Sequence, residues 1–384
     1  MFQPVKLGRL TVPNRFMRSA TWEALSDLKG NPKDSLFTLL ENLAFGNVGL
    51  VVPGAAYVTK SGQMVPNQTG LCTIEQARIW HRGIANIHKH DTKVIFQLAH
   101  GGLFSSTELN GGAEPCGPTA FNKNQHELTN AEIEDLIEKF AHSANLAHLT
   151  EADGVQLHAA HDFLLSEFLS PAFNHRTDKW GGSDENRVRI IQEIITTIRQ
   201  RVPDSFSISL KINGDDHRKS GITPQLAAKY VGLLKNDIDF FEISAGNGFA
   251  VLSTLNKEVL TRNVVQSQKQ KLIEKAQKIV EGRPYKEMYN LDALNIIRKL
   301  QPDAKLALVG GNRSFSSMKK IIESGKADLI SMSRPLLNDP YLIHRFKVKT
   351  LDKALCINCG SCLLNSEKGV FCHLKPSSYN PMGH

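Results

Sequence analysis

Two histidines stand three residues apart at the end of a short apolar segment. Gly154 to Leu157 has the pattern of a buried strand, and His158 and His161 follow it. Two imidazole N–H groups that converge on one oxygen atom polarise a carbonyl or hold a phenolate. In α/β enzymes, catalytic groups lie at the carboxyl ends of parallel strands. The pair is therefore predicted to form an oxyanion-binding site, although a single histidine would more often be structural.

Two further polar segments have the composition of a phosphate site. Gly310 and Gly311 end one apolar run, and Ser333 and Arg334 end the next. Glycine lets a phosphate approach backbone N–H groups closely, and arginine adds a positive charge. These four residues are predicted to bind a phosphate, whereas a Gly-Gly pair alone would more often be a plain turn.

Four of the six cysteines crowd into the last thirty residues, with the spacing Cys356-x₂-Cys359-x₂-Cys362-x₉-Cys372. The amino terminus lacks the apolar core of a secretion signal, so a disulfide framework is not expected. Four thiolates suit tetrahedral Zn²⁺ or a [4Fe–4S] cluster. The sequence predicts a metal site of one of these kinds and leaves free thiols open as the alternative.

Regularly alternating elements must position these groups. Eight apolar runs predict strands at Phe16–Ser19, Gly49–Gly54, Lys93–His100, Gly154–His158, Ser205–Ile212, Phe240–Gly246, Lys305–Gly311 and Asp328–Arg334. Helical periodicity follows each run, at Ser35–Gly46, Ile74–His90, Thr129–Thr150, Ser183–Arg201, Thr223–Lys235, Met288–Leu300, Ser314–Ser324 and Asp339–Phe346. This alternation favours a (β/α)₈ TIM barrel over an open doubly wound sheet.

The predicted barrel domain comprises residues 1–349, and residues 350–384 form a separate cysteine-rich tail. Two long loops interrupt the regular spacing, at Gly101–Leu128 and at Asn247–Glu287. Each follows a predicted strand, so each is expected on the face that carries the chemistry. Loops of this length are commonly lids or binding loops.

The overall composition is ordinary for a globular protein, with a net charge of +8 and a pI near 9.1. Basic residues concentrate only in Lys257–Lys286, where a solvated helix face is favoured over nucleic-acid binding because no aromatic residues interleave. No apolar run approaches the roughly 18 residues of a membrane-spanning helix. We expect a cytoplasmic protein that acts on small molecules and binds neither nucleic acid nor membrane.

The stretch from His158 to Arg187 closely resembles the signature of the old yellow enzyme family of FMN-dependent oxidoreductases. The matching positions are His158, His161, Leu164 to Pro171, Asn174, Arg176 to Asp178, Gly181, Gly182, Asn186 and Arg187. The resemblance extends in order from Leu7 to about His373. It implies hydride transfer from NAD(P)H, through flavin N5, to an electron-poor substrate such as an α,β-unsaturated carbonyl. It leaves a homo-oligomer open.

The resemblance also implies roles for individual residues. Cofactor-binding roles fall on Ser19, Ala20, Thr21, Gly54, Gln97, Lys211, Gly310, Gly311, Ser333 and Arg334. Thr21 corresponds to a position that tunes the flavin, so it is also counted as catalytic. Lys211 corresponds to a cation near flavin N1, and on an otherwise apolar strand it needs an anionic partner. The two histidines correspond to the pair that binds the substrate carbonyl oxygen.

The sequence departs from the family pattern at Phe163. Family members that reduce activated alkenes usually have a tyrosine two residues after the second histidine, and it protonates the substrate α-carbon. Phenylalanine cannot donate a proton, so another group or water must, and Tyr57 is one candidate. We therefore expect slow or altered alkene reduction, with reduction of the flavin intact.

Two alternatives remain open at this stage. The cysteine tail resembles that of the 2,4-dienoyl-CoA reductase subgroup, whose members carry an iron–sulfur cluster with wider cysteine spacing. A similar enzyme here would need a separate protein to supply electrons. The second alternative is a flavin-binding sensor with little turnover, which the loss of the tyrosine at Phe163 keeps open.

Overall fold

Eight parallel strands close into a barrel in the computed structural model, which describes residues 1–246, 285–358, 360, 362 and 369–372. The strands are Phe16–Arg18, Leu50–Val51, Lys93–Ala99, Gly154–Ala159, Ser207–Asn213, Phe241–Ser244, Leu306–Val309 and Leu329–Met332. Each pairs in parallel with the next, and the eighth pairs with the first. The predicted TIM barrel is confirmed, strand by strand and in order.

The eight predicted helices are also present, and their ends agree with the sequence pattern to within about one turn. They span Asp34–Phe45, Ile74–His88, Asn130–Leu149, Asp184–Arg199, Pro224–Leu234, Leu291–Leu300, Phe315–Glu323 and Leu342–Lys347. Local sequence explains several of their starts. Thr73 with Gln76, and Thr129 with Glu132, form capping boxes that satisfy the first free N–H groups.

Several short elements were not predicted because each has too few residues to show a period. Two helices, Leu164–Leu169 and Arg334–Asn338, directly follow the histidine pair and the eighth strand. The short strands are Val5–Leu7, Leu10–Val12, Ala56–Tyr57, Cys116–Gly117 and His126–Glu127.

An amino-terminal hairpin fills one end of the barrel. Leu7, Leu10 and Val12 from the hairpin pack against Met17 and Ile95, which point into the barrel from the first and third strands. A second and larger apolar layer lies between the strands and the surrounding helices. Because these apolar side chains fill the amino-terminal end of the barrel, the opposite end, at the carboxyl ends of the strands, is where a cavity can open.

Parts of the predicted organisation fall outside the described residues. Most of the insertion at Asn247–Glu287 lies there, together with most of the basic segment Lys257–Lys286 and Cys359. Among the helices that the structure does describe, none combines the length and the hydropathy of a membrane-spanning segment.

A buried ionic network crosses the barrel interior. Lys211 on the fifth strand is in register with Glu242 on the sixth, and its Nζ lies 3.5 Å from Glu242 Oε2. Ser19 and Ser331 donate their hydroxyl groups to Glu242 Oε1 at 2.6 and 2.7 Å. Lys211 Nζ also donates to Ser19 Oγ at 2.9 Å. The anionic partner expected for Lys211 is therefore Glu242, which is fully buried.

Replacing Glu242 by Gln should destabilise the barrel strongly. The variant keeps the shape of the side chain but leaves the Lys211 charge buried without a carboxylate, which costs about 3–5 kcal/mol of unfolding free energy. Denaturant unfolding measures the loss. Glu134→Gln is the matched control, because it removes the carboxylate of an exposed pair with Lys179 and should cost less than about 1 kcal/mol. Equal losses in the two variants would contradict this account.

Candidate active site

A cavity of about 320 Å³ opens at the carboxyl ends of the barrel strands. Residues from the ends of the first, third, fourth, fifth, sixth, seventh and eighth strands line it. The structure brings together in this cavity nearly all of the predicted site residues: Ser19, Ala20, Thr21, Gln97, His158, His161, Lys211, Gly310, Gly311, Ser333 and Arg334.

Gly54 is the predicted cofactor-binding residue that does not line the cavity. Its N–H group donates to both carboxylate oxygens of Glu23, at 3.0 and 3.1 Å, and Glu23 is in turn paired with Arg18. The next residue, Ala55, lines the cavity instead. The sequence analysis placed Gly54 at the end of the second strand, but that strand ends at Val51, and no pattern indicated that a buried carboxylate accepts from the Gly54 N–H group.

Hydrogen bonds to neighbouring residues of the chain fix the positions of Ser19 and Thr21. Ser19 N–H donates to the carbonyl oxygen of Met332 at 2.9 Å, and its hydroxyl donates to Glu242. Thr21 Oγ1 donates to the carbonyl oxygen of Ser19 at 2.9 Å, so it accepts the 2.6 Å hydrogen bond that it shares with Ser333 Oγ. Ser19 therefore acts on the cavity by positioning Lys211, and Ser333 holds the Thr21 hydroxyl.

The polar floor of the cavity has one positive charge and one amide. Lys211 is only 4% exposed, and the network with Ser19 and Glu242 fixes its ammonium group. Gln97 is also buried, and its Nε2 donates to Gln156 Oε1 at 2.7 Å on the neighbouring strand. A fixed cation beside an amide suits the polar edge of a planar heterocycle that gains negative charge.

The two histidine rings pack edge to face in the same cavity. Their ring centroids are 5.2 Å apart with an interplanar angle of 84°. His161 has a backbone φ of +66°, in the left-handed region that non-glycine residues rarely adopt. Backbone in that region is costly and tends to persist where it serves a site. Here it turns the chain directly after the strand, so that both imidazoles lie in one cavity.

Both imidazoles are neutral at ordinary pH. Burial and the nearby Lys211 charge lower the pKa of His161 to about 3. Burial, His161 and Lys211 together hold the pKa of His158 well below its usual range. A neutral imidazole carries one N–H donor, and His158 Nδ1 has no hydrogen-bond partner in the part of the chain that is described. The pair can thus offer two N–H groups without adding charge.

Ser244 is a site residue that the sequence analysis missed. It ends the sixth strand, lines the cavity, and its Oγ lies 2.7 Å from His161 Nε2. If the hydroxyl donates, Nε2 is the acceptor and His161 carries its proton on Nδ1. A polar residue at the carboxyl end of a predicted strand was the available signal.

The carboxyl group next to the pair is buried as well. Asp162 has a φ of +59°, and its Oδ2 forms an ion pair with Arg218 at 2.5 Å. Burial raises the pKa of Asp162 to about 7, although the Arg218 charge opposes the shift. Asp162 is therefore a group near the histidines that changes charge close to neutral pH.

Phe163 lines the cavity and packs edge-on against His158, with ring centroids 5.0 Å apart. No proton donor stands at that position.

Tyr57, the suggested substitute, is fully buried elsewhere and donates its hydroxyl to the carbonyl oxygen of Lys29 at 2.8 Å. Burial raises the pKa of Tyr57 to about 12. Tyr57 is not among the residues that line the cavity, so it cannot replace a proton donor there.

The glycine pair forms a tight wall at the other end of the cavity. Gly310 and Gly311 have φ values of +111° and +70°. A Cβ at Gly310 would lie 2.5 Å from the Tyr289 ring, and one at Gly311 would lie 2.8 Å from the Met288 nitrogen. Only glycine fits both positions, and Arg334 from the following loop lines the same cavity.

The loop Gly101–Leu128 was predicted to be a lid or binding loop, yet none of its residues lines the cavity. Instead, the loop after the second strand contributes Met64, Val65 and Gln68. The sequence analysis missed these residues because that loop has no distinctive motif.

The metal prediction stays open. Cys356, Cys362 and Cys372 are described, but Cys359 is not. Within the described ranges, no group of three or more His, Cys, Asp or Glu residues is arranged to hold a metal ion. The division at residue 350 also stays a prediction, and the described part of the tail contacts the barrel, as Asn358 lines the cavity.

Comparison with known proteins identifies the family of this chain. The sequence profile of the NADH:flavin oxidoreductase / NADH oxidase family matches residues 1–353. The NADPH dehydrogenase of Clostridium acetobutylicum is 26% identical over 350 residues, which cover 89% of this chain and 93% of that protein.

Solved structures share the fold. A 2-naphthoyl-CoA reductase complex is 25% identical with a TM-score of 0.81, and the match covers 94% of this chain but only 54% of that chain. An old yellow enzyme homologue from Zymomonas mobilis is 20% identical with a TM-score of 0.71, covering 93% of this chain and 95% of that chain. This chain belongs to the NADH:flavin oxidoreductase / NADH oxidase family and is an NAD(P)H:flavin oxidoreductase of the old yellow enzyme type.

Proposed function

We propose that the protein binds FMN in this cavity and transfers hydride from NAD(P)H to an electron-poor substrate, such as an α,β-unsaturated carbonyl compound. The observation that carries the proposal is the joint position of Lys211 and the neutral pair His158 and His161 in one cavity. A fixed cation suits a cofactor that becomes negative when reduced, and two neutral N–H donors suit a carbonyl oxygen.

The cavity residues fit FMN in two groups. Gln97 and Lys211 would hold the polar edge of the ring system, with Thr21 at a tuning position beside them. Gly310, Gly311 and Arg334 would hold the phosphate, since close backbone approach and positive charge meet at that end. Ser333 would contribute its backbone N–H group, because its hydroxyl donates to Thr21. Ser19 supports this arrangement through Lys211 and Ala20 lines the wall, whereas Gly54 would have no direct part.

When bound, FMN supplies a two-electron redox centre that accepts hydride from NAD(P)H and passes it to the substrate. His158 and His161 orient the substrate by donating to its carbonyl oxygen, which draws electron density away from the alkene. Ser244 keeps the His161 ring in place through the 2.7 Å contact. Phe163 contributes an apolar surface and no proton, so the proton for the α-carbon must come from another group or from water.

The cluster-containing enzyme and the low-turnover sensor differ from the proposed function in the metal content of the cysteine tail and in the rate of steady-state turnover. A metal site made by Cys356, Cys359, Cys362 and Cys372 would give an iron–sulfur absorbance, or zinc on elemental analysis, and a cluster would require a separate electron-supplying protein. A sensor with little turnover would be reduced once by NADPH and then stop. Steady-state NADPH oxidation with cyclohexenone as the acceptor separates the proposed function from both.

Replacing Phe163 by Tyr should accelerate alkene reduction. The new hydroxyl group adds a general acid beside His158, and such groups typically contribute 10²–10⁴-fold. We expect kcat for cyclohexenone to rise by about 10- to 100-fold, while the rate of flavin reduction by NADPH stays the same. Phe104→Tyr is the matched control, because Phe104 packs against Phe163 but is not among the cavity-lining residues. Equal turnover by the wild type and Phe163→Tyr would disprove the assigned role of Phe163.

The KM for a neutral substrate should not change with pH across the range in which an ordinary histidine titrates. Folding lowers the pKa of both histidines, to about 3 for His161 and well below the usual range for His158, so each imidazole is neutral above its lowered pKa and gains charge only as the pH falls through it. Asp162 is a neighbour that titrates near pH 7, so the test uses Asp162→Asn. In this variant, KM for cyclohexenone should be constant between about pH 5.5 and 8.

A nitrophenol whose own ionisation falls in the same range serves as the positive control, since its binding must change with pH. A step in the cyclohexenone KM near the ordinary histidine pKa of about 6.5 would contradict the neutral pair.

A further inference from the structure

The described part of the C-terminal segment is attached to the carboxyl-terminal face of the barrel. Ala354 N–H donates to the carbonyl oxygen of Arg313 at 2.9 Å, and Phe315 N–H donates to that of Asp352 at 2.8 Å. Arg313 and Phe315 directly follow the glycine wall of the cavity. The start of the segment is therefore fixed next to the predicted phosphate end.

Contacts further along the segment reach two other loops of the same face. Val370 is fully buried, and its N–H donates at 2.7 Å to the carbonyl oxygen of Glu23, in the loop after the first strand. Cys362 is 8% exposed and packs with Ala24 from that loop and with Leu337 from the helix after the eighth strand. The segment thus contacts the loops after the first, seventh and eighth strands.

Asn358 brings this segment into the cavity. Asn358 lines the cavity together with Tyr289, Gly310 and Arg334, and the residue is only 2% exposed. Its φ of +58° lies in the left-handed region, which asparagine tolerates better than most residues. Residue 358 lies beyond the match to the family profile, which ends at residue 353. This wall therefore comes from a part of the chain that the family profile does not include.

The Asn358 carboxamide is held in a defined orientation. Its Nδ2 donates to the Tyr285 hydroxyl oxygen, and the Cys356 thiol lies 3.7 Å from its Oδ1. Burial raises the pKa of Tyr285 to about 12, so this partner stays neutral. An amide group carries two N–H donors, of which Tyr285 accepts one. A fixed, buried amide on a cavity wall is equipped to hydrogen-bond a polar ligand.

We propose that residues 354–358 complete the FMN site and that Asn358 is a cofactor-binding residue. The inference rests on the proposed function, because it takes FMN as the occupant of the cavity. Binding of FMN and docking of the segment then stabilise each other, since two events that share one contact must be coupled equally in both directions. FMN should tighten the segment, and loss of the Asn358 contact should weaken FMN binding.

Two variants test the contact without straining the backbone. Asn358→Gly removes the amide and accepts the positive φ, and Asn358→Asp keeps the size but replaces the N–H donors with a carboxylate. Both should raise the FMN Kd, by about tenfold for Gly and more for Asp, as measured by quenching of flavin fluorescence. Asn47→Gly is the matched control, because Asn47 also has a positive φ of +70° but lies before the second strand, at the opposite end of the barrel.

Amide hydrogen exchange gives a second measurement that does not depend on a variant folding. Adding FMN to the wild-type protein should slow exchange at residues 354–358 by about tenfold or more. Wild-type protein that binds FMN with no change in exchange there, and with Asn358→Gly binding as tightly as Asn47→Gly, overturns this inference alone. Wild-type protein that binds no FMN overturns the proposed function as well.

Discussion

The site depends on one buried carboxylate, that of Glu242. A lysine on a barrel strand cannot remain charged inside a protein unless an anion and hydrogen bonds compensate it. Glu242 supplies the anion, and Ser19 and Ser331 satisfy its second oxygen. These residues come from the first, fifth, sixth and eighth strands, so the same interaction that balances the charge also ties together four strands at the floor of the cavity.

The position of the Lys211 charge has consequences for the rest of the cavity. Together with burial, the Lys211 charge lowers the pKa of both His158 and His161, and it therefore helps to keep the pair neutral. A neutral pair can donate hydrogen bonds without competing with the cofactor for negative charge. The cation that suits a reduced flavin and the donors that suit a substrate oxygen are thus parts of one electrostatic arrangement, fixed before any ligand binds.

Residue types and spacing predicted the fold and the centre of the site well, because both depend on patterns within short stretches of the sequence. Strands buried on both faces appear as continuous apolar runs, and a polar residue at the end of such a run must lie at the cavity face. His158 was found in this way, whereas Lys211 was assigned through the family resemblance. Ser244 had the same signal. Gly54 shows the limit, since its amide binds Glu23, a partner thirty-one positions away in sequence that no pattern indicates. Asn358 was not predicted because the sequence pattern placed its segment outside the barrel.

The most direct test of the account is an anaerobic absorbance titration of the FMN-loaded protein, first with NADPH and then with a simple phenol. The account predicts a flavin band that NADPH bleaches, and, in a separate oxidised sample, a long-wavelength charge-transfer band when the phenol binds at His158 and His161. Together these would establish the cofactor, the reductant and the oxyanion site in the same cavity. A protein that stays colourless and cannot be loaded with FMN would contradict the central claim.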